Sequence, residues 1–137
     1  MIIINIDFNS DEALYMQLCN QIIMGIALEE FEQGDPLPSV RQLADNIGIN
    51  MHTVNKAYTI LRREGYIKLD RRKGAFVCVE ADKKETLQEL KEQLHEIIMR
   101  AICKNVSRKE VHKLVNEIYE QYGIVDDDDE EMENKGE

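Results

Sequence analysis

The side chains with the most chemical capacity crowd into the stretch 50–74. Asn50, Met51, His52, Thr53 and Asn55 open a segment in which Val54, Ala57, Tyr58 and Leu61 recur at helical spacing. At about 100° per residue, the face opposite that apolar stripe carries His52, Lys56, Thr59 and Arg63, with Asn55 at its flank. Amides, hydroxyls and cations on one face of a rigid helix are what reading duplex DNA requires, because the major groove admits a helix and displays donors and acceptors on base edges. Asparagine can bridge the two edge groups of adenine, and threonine or methionine can touch a thymine methyl. Lys56 and Arg63 are placed for phosphates, and Arg41 for a phosphate or a guanine. Farther on, Arg71-Arg72-Lys73 precede Gly74 in a turn. Three adjacent cations at a tight tip repel one another, and the negative potential of a minor groove would offset that repulsion.

Other chemistries find no foothold. His52, His95 and His112 share no metal-ligand spacing, and neither a glycine-rich phosphate loop nor a nucleophile elbow occurs. The three cysteines, Cys19, Cys78 and Cys103, are odd in number and far apart, which disfavours a disulfide scaffold or zinc knuckle and favours a reducing, cytoplasmic setting. At 137 residues the chain is too short for a cofactor domain joined to a substrate domain. No apolar run approaches the ~20 residues of a membrane span, and Met1-Ile2-Ile3-Ile4 lacks the basic lead of a signal peptide. A non-enzymatic protein without cofactor or metal, acting away from the membrane, is expected.

The net charge of −10 is a misleading average. Residues 1–35 carry seven acids and no Lys or Arg, whereas residues 36–76 carry eight cations against Asp45, Glu64 and Asp70. Residues 77–125 are nearly balanced, and residues 126–137 hold eight acids against Lys135. One basic island therefore lies in an acidic chain, and it coincides with the helix described above.

The elements that must position this chemistry follow from pattern. Ile2 to Phe8 reads as a short strand or an extended arm. Ser10 or Asp11 offers a cap for a first helix in which Leu14, Leu18, Ile22 and Ile26 recur, with Met16, Ile23 and Ala27 widening the apolar surface to two sides. Pro36 and Pro38 interrupt it. Ser39 caps a second helix with Val40, Leu43, Ala44 and Ile47 inward and Gly48 at its end. Asn50 caps the third, which Gly65 terminates. Tyr66–Leu69 and Ala75–Val79 form a hairpin around Asp70–Gly74. The fold class is mainly α with a small β-hairpin wing: a winged helix-turn-helix over residues 1–80, then a short two-helix region over 81–125. In that region Leu87, Leu90, Leu94, Ile97 and Ala101 alternate steps of three and four as in a coiled-coil seam, broadened by Ile98 and Ile102. Ser107 and Glu110 form a capping box ahead of Val111, Leu114, Val115, Ile118 and Tyr122. The acidic run from Asp126 to Glu131 repels itself, and 126–137 is expected to be a disordered tail.

The stretches LYMQLCNQIIMGI (14–26) and GDPLPSVRQLADNIGINMHTVNKAYTILRREGYIKLDRRKGAFV (34–77) resemble the GntR family of bacterial transcription factors. The LPSVRQLA block and the TVNKAY…L…EGYI…KGAFV run carry the likeness, and the short two-helix remainder looks like the YtrA subfamily. The resemblance implies a dimeric repressor with one helix in the major groove and the wing tip in the minor groove. It places DNA contacts at Ser39, Arg41, Asn50, Met51, His52, Thr53, Asn55, Arg71, Arg72, Lys73 and Gly74. Genes for ABC transporters often adjoin those of this subfamily. Three departures stand out: Ala13 where the family has proline, Glu29-Glu30 where a glycine is common, and Met51-His52 where the subfamily often has proline and asparagine. The first two bear on packing and turn geometry. The last lies at the groove and prevents borrowing an operator sequence.

One winged helix makes few base contacts, and tying two together converts modest affinity into specificity. Leu87, Leu90, Leu94, Ile97, Ile98 and Ala101, with Val111, Leu114 and Ile118, are the expected homodimer interface. The rival reading is a winged helix used for protein contact, which steep salt dependence of DNA binding would exclude. The effector, if any, is not legible: two helices of this length leave little room for a dedicated pocket.

Overall fold

The computed structural model describes residues 4–125, so the acidic run that begins at Asp126 lies outside the described residues. The described part comprises α1 (Leu14–Ala27), α2 (Val40–Ile47), α3 (Met51–Arg63), β1 (Ile67–Asp70), β2 (Gly74–Val77), α4 (Lys83–Cys103) and α5 (Arg108–Gln121). The chain divides into two compact units between Ala81 and Asp82.

In the first unit, α1 and α2 both pack on α3, and β1 follows α3 closely. The apolar stripes meet as their spacing requires. Leu18 and Ile22 of α1, Val54 and Leu61 of α3 and Val77 of β2 are fully buried, each contributing on the order of 1.5–3 kcal/mol of burial free energy. Leu43 and Ala44 of α2, with Cys19, Leu37, Ala57, Tyr58, Ile67 and Ala75, complete the core. Antiparallel pairing of Ile67 with Val77 and of Asp70 with Gly74 sets the register of the wing. Residues of that register alternate inward, so Val77 and Ala75 face the core while the tip projects.

The first helix departs from expectation at both its start and its flank. Neither Ser10 nor Asp11 caps it: α1 begins after Ala13, with no side-chain cap, while the Ser10 hydroxyl accepts from the Glu12 amide in the preceding turn. Met16, read as part of a covered second side, is exposed. Ile4–Asp7 is an extended arm with no strand pairing, and α1 holds it through side chains instead. Gln17 Oε1 accepts from the Asp7 amide at 2.9 Å while its Nε2 donates to the Asp7 carbonyl at 3.0 Å. Gln21, one turn on, makes the same reciprocal pair with Asn5. Two glutamines thereby imitate the edge of a strand, which explains why an alternating pattern need not find a sheet.

In the second unit α4 and α5 are well capped, by Asp82 and by the Ser107–Glu110 box. Neither helix contains a buried residue. The connection turns through Asn105 at φ 61°, and the Val106 amide donates to the Ala101 carbonyl at 2.9 Å.

Candidate nucleic-acid interface

The turn between α2 and α3 is built from local rules. Ser39 Oγ accepts from the Gln42 amide, and the Gln42 side chain accepts from the Ser39 amide, closing a capping box. Gly48 ends α2 at φ 72°, a conformation that glycine adopts without steric cost. Two residues later Asn50 Oδ1 accepts from the His52 amide at 2.8 Å and starts α3. Buried Tyr58 locks the pair of helices, its hydroxyl donating to the Pro38 carbonyl at 2.7 Å just ahead of α2. Burial pushes the Tyr58 phenol well above its ordinary pKa.

With its inner face fixed, α3 presents Met51, His52, Asn55, Lys56, Thr59 and Arg63 outward, all exposed, while Thr53 is half-buried. Asn50 and Ser39 are exposed too, but each spends a side-chain oxygen on its cap; the Asn50 amide nitrogen keeps its donors. Thr59 donates its hydroxyl to the Asn55 carbonyl at 2.8 Å. Arg41 lies exposed in the first turn of α2. Arg63 occupies the last turn of α3, where a cation is favoured by the helix dipole.

The wing tip is organised by Asp70. Its Oδ1 accepts from the Arg72 amide at 2.7 Å and from the Lys73 amide at 3.4 Å. Those two backbone donors hold the Asp70 carboxyl below its ordinary pKa. Gly74 closes the turn at φ 76°. Arg71, Arg72 and Lys73 are exposed.

Among the described residues, Arg41, Lys56, Arg63, Arg71, Arg72 and Lys73 have no carboxylate within ion-pair distance. Lys68 of the same basic island is different: Glu80 binds its ammonium at 3.1 Å. That hydrogen bond raises the Lys68 pKa. Lys56 has an uncharged partner, its Nζ lying 3.9 Å from the centroid of the Tyr15 ring. Tyr15 has no assigned role in the sequence reading. A contact spanning two helices leaves no local pattern, although an aromatic residue in the first turn of α1 was visible.

Burial also decides the cysteine at the core. Cys19 donates to the Ala57 carbonyl, and desolvation, with a smaller effect of the Glu64 charge, pushes its thiol up to about 11. Such a thiol is inert at neutral pH. No group of three or more His, Cys, Asp or Glu among the described residues is arranged to hold a metal ion. No helix among them is long and apolar enough to cross a membrane.

A helix-turn-helix with an exposed polar recognition face and a cationic hairpin is the arrangement of a winged-helix DNA-binding protein. Residues 14–77 match the family described as bacterial regulatory proteins, gntR family. The chain is 38% identical to the transcriptional repressor YtrA of Bacillus subtilis, over 84% of this chain and 91% of that protein. Among solved structures it resembles YtrA from Sulfolobus acidocaldarius, a GntR-family transcription factor, at 40% identity and a TM-score of 0.63 over 73% of this chain and 97% of that one. It also resembles a transcriptional antiterminator from Listeria monocytogenes at 29% identity and a TM-score of 0.79, over 90% of this chain and 95% of that one. The chain belongs to the GntR family and is a DNA-binding transcription regulator.

Proposed function

We propose that this regulator is a repressor that binds an inverted-repeat operator as a homodimer, with α3 in the major groove and the wing tip in the minor groove. The observation that carries the reading is the cluster of eight exposed Lys and Arg against three acids over residues 36–76, on α2, α3 and the hairpin, in a chain whose net charge is −10. An acidic protein that gathers its exposed cations in one segment is built for a polyanion. Asn50, Met51, His52, Thr53 and Asn55 read base edges; Ser39, Arg41, Lys56, Arg63 and Gly74 fix the backbone; Arg71, Arg72 and Lys73 enter the minor groove. Likeness to a YtrA repressor over most of both chains supports the repressor assignment. The subfamily resemblance extends the proposal to genes of an ABC transporter as the regulated locus.

Dimerisation rests on the apolar side chains that α4 and α5 leave uncovered. Leu87, Leu90, Leu94, Ile98 and Ile102 line a groove of about 810 Å³ along α4, with 54% of Leu87 and 69% of Ile102 exposed. Ile97 and Ala101, the last steps of the expected seam, lie outside that lining, so the groove follows the 90-94-98-102 row instead. Leu114 and Ile118 on α5 are more than half exposed, and Val111 is half-buried. Apolar area on this scale in a water-soluble chain calls for a mate, and a second copy supplies the same surface in return. Selection of bound sequences from a random duplex pool tests the proposal: palindromic sequences are expected, and asymmetric or unselected pools would contradict it.

A further inference from the structure

We propose that Tyr15 is a positioning residue for DNA binding, its ring holding the Lys56 ammonium in place to receive a backbone phosphate. The inference rests on the reading that α3 enters the major groove. Lys56 Nζ stands 3.9 Å from the Tyr15 ring centroid, within the range of a cation–π contact. Tyr15 is half-buried and packed on the hydrophobic core, so its ring is a fixed platform. Lys56 is exposed on the α3 face opposite Val54, Ala57 and Leu61. The nature of the partner matters most. A carboxylate, as Glu80 is for Lys68, would hold a lysine and cancel its charge. An aromatic face holds the ammonium while leaving the positive charge available to an anion, and an ammonium has three donors of which the ring engages one side. A free lysine stem loses much rotamer freedom when its tip is pinned to a phosphate, and a stem already resting on a ring loses less. Tyr15 thereby carries information from α1, an element that presents no cation of its own, to the recognition helix.

The experiment measures affinity for a fluorescent duplex selected by the wild-type protein, across a salt series, for Tyr15→Phe, Tyr15→Leu, Lys56→Met and the Tyr15→Leu/Lys56→Met double variant. Arg71→Ala/Arg72→Ala serves as the independent control, and urea unfolding checks each fold. Tyr15→Leu is expected to weaken binding about two- to fivefold, and Tyr15→Phe to bind as wild type. Lys56→Met should reduce the slope of log affinity against log salt by about one. In the Lys56→Met background, Tyr15→Leu should change nothing further. Equal weakening in both backgrounds would show a merely structural role, and tighter binding by Tyr15→Leu would show that the ring withholds the lysine; either overturns the inference. If Lys56→Met weakens binding and Tyr15→Leu does not, only the role of the ring falls. If neither Lys56→Met nor the arginine pair alters affinity, or the wild type selects no duplex, the DNA-binding surface itself is misplaced and the inference falls with it.

Discussion

The Tyr58 hydroxyl donates to the Pro38 carbonyl at 2.7 Å, tying the middle of α3 to the residue that introduces α2. The two helices of the DNA-reading motif are thus fixed by a partly buried hydrogen bond as well as by apolar packing. The same tyrosine supplies both, its ring in the core and its oxygen on the backbone.

Replacing Tyr58 with phenylalanine keeps the ring and strands that carbonyl. A loss of about 1 kcal/mol in stability is expected from urea unfolding, in line with one intramolecular hydrogen bond. Unchanged stability would mean that water replaces the hydroxyl without cost.

Gly25 faces Phe31 so closely that a Cβ built there would lie 2.5 Å from the ring. Gly25→Ala should therefore destabilise the first unit by about 1–3 kcal/mol, the range for overpacking. Phe31→Leu in the same chain should recover part of that loss. Failure to recover any would place the strain elsewhere.

Glu29 adopts φ 59°, the left-handed region that a side chain disfavours and glycine adopts without cost. Glu29→Gly should raise stability by about 0.5–1 kcal/mol, since relief of the Cβ clash exceeds the added chain entropy. A neutral or destabilising result would show that the glutamate makes a compensating contact.

Asp70 links wing order to pH. Its folded pKa is lowered, so the wing gains stability above the ordinary carboxylate range and loses it as pH falls through the lowered value. The Arg72 and Lys73 amide resonances should follow that titration. Asp70→Asn and Asp70→Ala remove the same charge, but only Asn keeps an acceptor for the turn. Weaker DNA binding by the alanine variant than by the asparagine variant is expected; equal affinities would mean that turn order is irrelevant to the wing.

Much of this was legible from residue spacing because the motif is made of short-range rules. Ser39, Gly48, Asn50 and the Ser107–Glu110 box act within a few residues, and the structure uses all of them at helix ends, adding Gln42 as the reciprocal partner of Ser39. The start of α1 was misread because Ser10 caps a turn and not the helix, a choice made by tertiary packing of the arm. The Tyr15–Lys56 contact and the Glu80 partner of Lys68 were not legible at all. Each joins separate elements, so no periodicity announces it. The apolar row on α4 lies exposed as its spacing implies, but the groove follows Leu90, Leu94, Ile98 and Ile102 and leaves Ile97 and Ala101 outside its lining.

The central claim is that two copies of this chain place α3 helices in neighbouring major grooves of one palindrome. Hydroxyl-radical footprinting on the duplex selected by the full-length protein tests it most directly. The account predicts two symmetric protected patches with centres about one helical turn apart, together with minor-groove protection that Arg71→Ala/Arg72→Ala abolishes. A single patch, or protection indifferent to the wing arginines, would contradict it.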